Sequence, residues 1–563
     1  MSVPSQHATN GFKTLVLGLD GGCFRVLRPL MNRGLMPNLS SLVGKGVWRV
    51  LQSTVPPVTG PAWTTFMTGV NPAQHGIFDF VRRVPGKMER QVVAHNQIAA
   101  NTLFQIVGHA GLKVGSINLP LTYPPPHVNG FVVSGMLTPG PESEFTYPPE
   151  LKEQLNRVAN PYILDVWWKR YSEHNAADFV ARLAECLRHR TTAIRHLMKH
   201  HQWNLLVAVL TEVDRIQHSL WNYLNPDEGP EPGDLPRYRQ VHKAVLEFYA
   251  TLDSAIGDIT GELPQDANLV IVSDHGFGPM RKKFYVNTWL RNEGFLSVNE
   301  RLWNSRKRRK TARRLSRKVI ASLRLGGIAS GARRLLWAQR SGRMMPFDVL
   351  QCFDWRNTTC YAASYSEQGL YVNLKGREPY GTVSPGGEYE ATRERVIERL
   401  KALHDPSAEH PLRVEVLRKE EVYSGPYLDD APDIIFAVED GAYLADIGLE
   451  QNVFMNSTWE TGTGTHRPDG IFIAAGPDIR PGGELSAANI IDVAPTVLHL
   501  LRLPTPKNME GAAMTDILGG ELARSPVTYC DPLARSEVER AAAYTDEEEN
   551  LVRDKLSGLG YMD

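Results

Sequence analysis

Three stretches of the chain are apolar at nearly every position, and each runs into a carboxylate. Lys13–Leu19 stops at Asp20-Gly21-Gly22, Trp203–Leu210 at Thr211-Glu212-Val213-Asp214, and Asn268–Val272 at Ser273-Asp274-His275-Gly276. Runs without alternation predict strands buried on both faces, as in a parallel sheet covered by helices. The C-terminal edge of such a sheet is where ligands bind, so the recurrence of an acid at that edge marks a site. Val47–Leu51, Lys113–Asn118 and Gly470–Ala475 read as further strands. The spacing of Val241, Val245, Phe248, Leu252 and Ile256 predicts a helix whose apolar stripe is core packing. Leu103–Ala110 and most of 140–200 also read as helical. His218 follows Asp214 by four residues, which on a helical turn sets both on one face. The pattern predicts an α/β fold with a mostly parallel central sheet sandwiched by helices.

The rhythm breaks between about 290 and 425. Short extended runs at Cys360–Ala363, Leu370–Leu374 and Leu412–Leu417, with a helix near Thr392–Leu403, predict a smaller inserted α+β cap over 291–425. Asp433–Val438 reads as the return to the main sheet, and Thr461–His466 as a glycine-rich loop. The expected division is a discontinuous catalytic core, 12–290 and 426–525, the cap, and a helical tail, 526–563. In the tail, Thr545 and Glu548 form a capping pair, and Gly558 is the stop.

Composition changes this picture in one place. Lys+Arg and Asp+Glu are both 62, which gives no global charge to attract nucleic acid. Yet 15 of the basic residues and no acid fall in 301–343, leaving 47 basic against 62 acidic elsewhere. This basic helical segment, with Trp303 and Trp337, is expected to be a solvated part of the cap, with peripheral contact to an anionic membrane as its other reading. Five cysteines without a C-x-x-C pair fit reduced thiols. With no apolar leader and no run long enough to span a bilayer, the expectation is a cytoplasmic protein. The sequence specifies no oligomeric state.

The candidate nucleophile lies in Ser53–Gly69. Two prolines and a glycine forbid regular structure up to Pro61, and an unbroken apolar run follows, so Thr59 sits at a predicted helix N-terminus. Backbone N–H groups and the helix dipole gather there and hold an anion such as a phosphoryl group. A threonine hydroxyl is a poor nucleophile without a base or a metal. The polar residues at strand ends and on glycine-flanked loops supply one: Asp20, Asp214, His218, Asp274, His275 and His466. Three carboxylates and three imidazoles around a hydroxyl are a donor set for two divalent ions, and mixed oxygen and nitrogen ligation suits zinc, or manganese, over magnesium or calcium. Two such ions about 4 Å apart perform in-line displacement at phosphorus. His75, His95, His109 and His127 are assigned packing roles.

In order, LGLDGG, TVPPVTGPAWTTFMTG with NPAQHGIF, VDRIQH, VSDHG and the GTH before PDGIFIAAG resemble the type I phosphodiesterase/nucleotide pyrophosphatase branch of the alkaline phosphatase superfamily. The resemblance covers roughly 12–290 and 430–515. It implies an alkaline phosphatase-like core with one metal on Asp20, Thr59, Asp274 and His275 and the other on Asp214, His218 and His466. It further implies a covalent phospho-threonine at Thr59 and a small phosphate ester or nucleotide-like substrate. Ala62 offers no polar group one turn into the helix, so the Gly60 N–H and the Thr64 hydroxyl are the candidate donors to a phosphoryl oxygen. A phosphomonoesterase, or a phosphonate- or sulfate-ester hydrolase, is the alternative on the same core. The alternative of another class is an inactive metal-binding protein docking on membranes or polyanions.

Overall fold

The computed structural model describes residues 11–166, 171–224, 235–304, 349–364, 368–458, 462–534 and 543–558. Ten strands form the main sheet: β1 (Lys13–Leu19), β2 (Val47–Gln52), β3 (Val114–Ile117), β4 (Gly130–Val133), β5 (Thr146–Tyr147), β6 (Leu205–Leu210), β7 (Ala267–Val272), β8 (Asp469–Ala475), β9 (Gly483–Glu484) and β10 (Ala488–Asn489). The order is β9-β2-β8-β7-β1-β6-β3-β4-β5, with β10 also on β2. The middle is parallel, β7 and β6 flanking β1 and continuing through β3 to β4, while β8 runs antiparallel to both β7 and β2.

The unbroken apolar runs have a direct explanation in the two cores. Along β1, Leu15, Leu17 and Leu19 enter one core while Val16 enters the other, and Leu206, Ala208 and Leu210 of β6 are likewise separated from Leu205, Val207 and Val209. Both faces are buried, so apolar residues fill nearly every position of these strands. Val241, Val245, Phe248, Leu252 and Ile256 are buried against one of these faces from the Leu235–Gly261 helix.

That helix also terminates a neighbour. The Pro37–Lys45 helix has Met36 at its N-cap, which offers no side-chain acceptor. Instead Asp253, from the packed helix, takes the N–H groups of Asn38 at 3.0 Å and Leu39 at 2.8 Å. Asp253→Ala is expected to cost about 1–2 kcal/mol, read as a lower urea midpoint with unchanged m-value, because the buried Leu39 N–H and the part-buried Asn38 N–H lose a charged acceptor.

A second, seven-stranded sheet runs Cys360–Tyr361, Gly369–Val372, Ile434–Val438, Tyr443–Asp446, Lys282–Tyr285 and Phe454–Asn456, with Val414–Arg418 also on Ile434–Val438. Ile434–Val438 is therefore a strand, but of this sheet and not of the main one. A five-residue buried run suits an inner strand of either sheet, and its pattern carries no information about the partner. The expected glycine loop before His466 is likewise corrected: Gly464–Arg467 is a strand antiparallel to Gly276–Pro279, with His466 opposite Phe277. Of the basic run 301–343, residues 305–343 lie outside the described residues. The tail helix, Asp546–Gly558, starts at the expected capping pair, Thr545 Oγ1 accepting from Glu548 N and Glu548 Oε2 from Thr545 N. Among the described residues, no helix is long and apolar enough to cross a membrane.

Candidate active site

Each candidate side chain is placed by an element end. Asp20 follows β1. Gly21 then adopts a positive φ of 70°, a turn that suits glycine and aims its N–H at Asp274 Oδ1, 3.2 Å away. Asp214 and His218 lie one turn apart on the Glu212–Leu224 helix after β6. Asp274 and His275 follow β7, and His466 comes in on the Gly464–Arg467 strand. Thr59 opens the Thr59–Thr68 helix and is 1% exposed.

These ends converge. Thr59 Oγ1 lies 3.1 Å from His275 Nε2, and His275 Nε2 lies 3.2 Å from Asp274 Oδ2 and 3.9 Å from Asp20 Oδ1. Asp214 Oδ1 is 3.3 Å from His218 Nε2 and 3.4 Å from His466 Nε2, and those two nitrogens are 2.9 Å apart. Single donor atoms from Asp20, Asp274 and His275 fall within 4.8 Å of one another, as do those from Asp214, His275 and His466. His275 thus belongs geometrically to both groups, and its ring stacks on that of His466 at 3.6 Å.

The histidine tautomers follow from their outer partners. His275 Nδ1 faces the Gly276 carbonyl at 3.1 Å, His466 Nδ1 the Pro57 carbonyl at 2.9 Å, and His218 Nδ1 the Gly464 carbonyl at 3.3 Å. A carbonyl only accepts, so each Nδ1 carries the proton and each Nε2 turns a lone pair inward. Burial holds His275 and His466 well below the ordinary imidazole range, keeping them neutral. Burial, and then the neighbouring carboxylates, push Asp20 and Asp274 well above the usual carboxylate range. Burial acts on Asp214 in the same sense, but its charged surroundings, with the Arg215 guanidinium against Oδ2, outweigh it and hold that carboxyl well below its usual range. Asp20 Oδ1 and Asp274 Oδ2 are buried and, among the described residues, accept no hydrogen bond. Lone pairs facing lone pairs among buried carboxylates are a candidate donor set for cations.

Two residues that the pattern did not single out support the site. Trp63 donates its indole N–H to Asp20 Oδ2 at 3.2 Å, and its spacing of four from Thr59 was the available signal. Arg215, 2% exposed, bridges Asp214 to Asp165, with 3.1 Å between Arg215 Nη2 and Asp165 Oδ2. At the helix start Pro61 has no N–H, and among the described residues the Gly60 N–H meets no backbone acceptor. The Thr64 hydroxyl donates to the Gly60 carbonyl at 2.8 Å, so its proton is committed within the helix.

His75, fully buried, accepts the Ile77 N–H on Nδ1 at 3.2 Å and faces Thr65 Oγ1 from Nε2 at 3.0 Å. It braces the Thr59–Thr68 helix as a neutral ring, and burial lowers its pKa to about 3. The unfolded chain binds the extra proton first, so stability falls as pH drops from about 6.5 toward 3, by about 1.4 kcal/mol per pH unit. Urea unfolding between these limits is expected to show a pH slope shallower by about that amount in His75→Gln than in wild type, the other buried imidazoles, His275 and His466 among them, contributing equally to both.

A model of the family described as type I phosphodiesterase / nucleotide pyrophosphatase matches residues 14–466. No curated protein matches the chain in sequence. Among solved structures, phosphonoacetate hydrolase from Sinorhizobium meliloti 1021 is similar in fold, with a TM-score of 0.51 and 16% identity over 88% of this chain and 96% of that one. Human ectonucleotide pyrophosphatase / phosphodiesterase 5 has a TM-score of 0.48 and 15% identity over 90% of this chain and 100% of that one. On the family match, which spans the Thr59–Thr68 helix and every candidate ligand, the chain belongs to the type I phosphodiesterase / nucleotide pyrophosphatase family and is a phosphoester-hydrolysing enzyme.

Proposed function

We propose that the chain hydrolyses phosphodiester or pyrophosphate bonds of small, nucleotide-like substrates in two half-reactions through Thr59. The observation that carries this reading is the hydroxyl at a helix N-terminus, 3.1 Å from His275 Nε2, among inward-turned imidazoles and buried carboxylates. Asp20, Thr59, Asp274 and His275 would hold one divalent ion, and Asp214, His218 and His466 the other. Bound there, zinc or manganese would lower the hydroxyl pKa and neutralise charge on the phosphoryl oxygens.

The chain's own residues do the rest. Thr59 Oγ1 attacks phosphorus in line, forming an O–P bond as the P–O bond to the leaving alcohol or phosphate breaks, and the hydroxyl proton ends on the departing group. The phosphoryl group, with any retained ester, then resides on Thr59 until water displaces it and returns the hydroxyl. The Gly60 N–H at the positive end of the helix dipole faces the developing negative charge. Trp63 and the Gly21 N–H fix the two carboxylates through one oxygen each, leaving Asp20 Oδ1 and Asp274 Oδ2 directed at the site.

Phosphomonoester or phosphonate hydrolysis is the second reading, in keeping with the fold likeness to phosphonoacetate hydrolase. Turnover of bis-p-nitrophenyl phosphate, p-nitrophenyl phosphate and phosphonoacetate at fixed zinc or manganese separates them. Preference for the diester is the expected result, and preference for either other compound overturns it.

A further inference from the structure

A two-stranded ribbon, Val81–Arg83 paired with Arg90–Val92, brings three arginines to one cavity. Its register sets Arg83 directly opposite Arg90. Opposed residues of an antiparallel pair leave the same face, and like charges in that relation destabilise the pair. Here both guanidinium groups are also withdrawn from water: Arg90 is 5% exposed, and the Arg83 side chain 11%. Together with Arg82 they line a cavity of about 70 Å³, whose wall also includes Gln97, Tyr371 and one carboxylate, Asp430. One ordered water needs only about 10–15 Å³, so a planar or tetrahedral anion has room.

The arginines are held in place. Arg90 lies over the Tyr371 ring, 4.5 Å from its centre. Arg83 donates to Asp430 Oδ1 at 2.6 Å and to the carbonyls of Arg377 and Asp429, each at 3.3 Å. The tail braces the ribbon from outside, Glu549 Oε1 accepting the Val92 N–H at 3.2 Å and Arg553 donating to the Arg90 carbonyl. A fold that keeps opposed guanidinium groups fixed around a small cavity presents the planar donor forks that carboxylates and phosphates fit. The same segment reaches the active site, because Phe80 Cδ1 lies 3.5 Å from where a side chain on Gly60 would begin.

We propose that this cavity binds the phosphate or carboxylate group of a small ligand. The group comes either from a second anionic end of the substrate held at Thr59 or from a separate small anion. The binding test does not depend on the catalytic reading, since it uses the metal-stripped full-length protein, whose catalytic carboxylates repel anions. Inorganic sulfate is titrated by calorimetry into wild type, Arg83→Gln, Arg90→Gln and, as a surface control, Arg28→Gln.

One saturable site is expected, weakened about tenfold or more by Arg83→Gln and by Arg90→Gln and unchanged by Arg28→Gln. No saturable binding by the wild type, or binding that survives both cavity substitutions, overturns the proposal. Thermal melts check that the variants fold, and Arg82→Gln replaces either one that does not. Kinetics of the metal-loaded enzyme then identify the source. A KM raised by Arg90→Gln for a diester with a second anionic group, but not for bis-p-nitrophenyl phosphate, assigns the cavity to substrate. Sulfate that alters bis-p-nitrophenyl phosphate turnover in the wild type but not in Arg90→Gln assigns it to a separate anion.

Discussion

Thr59→Ala is expected to lower kcat for diester hydrolysis by about a thousandfold or more while leaving KM within a few-fold. On the proposed mechanism the substitution removes the atom that bonds to phosphorus and one of the four groups assigned to one metal ion, and leaves the other three in place. Thr59 is the first residue of its helix, whose N-cap is Val58 with no side-chain cap bond, so no cap is lost. The Gly60 N–H, Trp63 and the carboxylates around the site stay in place, and the substrate phosphoryl group keeps its binding contacts. Thr59→Ser restores the oxygen without the methyl group and is expected to recover most of the lost rate. Steady-state kinetics with matched metal content distinguish this pattern from a general loss of structure, which would depress the serine variant equally.

Asp274→Asn is expected to have opposite effects on stability in the two metal states. In the metal-free protein, three carboxylates lie close together in a dry site, and burial with mutual repulsion already pushes Asp20 and Asp274 toward their neutral forms. Asparagine can keep the Gly21 N–H bond made by Oδ1 and removes one charge. The metal-free variant should therefore be more stable than the metal-free wild type, by on the order of 1 kcal/mol. With metal the order reverses, because a site filled at 1,000 times its Kd contributes about 4 kcal/mol and the variant loses an anionic ligand. Turnover should fall about a thousandfold with it. Denaturant titrations of chelated and metal-loaded protein, with metal content by elemental analysis and steady-state rates of the loaded enzyme, read all three effects.

How far the sequence leads depends on how local each cause is. The runs before Asp20, Asp214 and Asp274 are legible because a strand buried on both faces leaves no room for a carboxylate, so acids, Asp20, Glu212 with Asp214, and Asp274, return only past its end. The Thr59 helix and the Thr545–Glu548 cap are set by neighbours a few residues away. The sheet that accepts Ile434–Val438 is a matter of long-range pairing, which a short apolar run does not encode. Gly464–Arg467 hides as a strand because a glycine and three polar or charged residues form no hydrophobic pattern, although its residues are mostly buried. Arg215 and Asp165 are separated by 50 positions, and their bridge exists only through the fold. The Arg83–Arg90 opposition likewise follows from ribbon register. Apportioning the ligands between two ions is beyond spacing too, and His275 lies within reach of both groups.

The central claim is that Thr59 carries the phosphoryl group between the two half-reactions. The most direct measurement is an acid quench of metal-loaded enzyme during turnover of bis-p-nitrophenyl phosphate, followed by peptide mass spectrometry. A phosphoryl adduct bearing the retained p-nitrophenyl ester on the peptide that contains Thr59, absent from Thr59→Ala, is the expected result. Undiminished turnover by Thr59→Ala, with no adduct on that peptide in the wild type, would contradict it and leave direct attack by water.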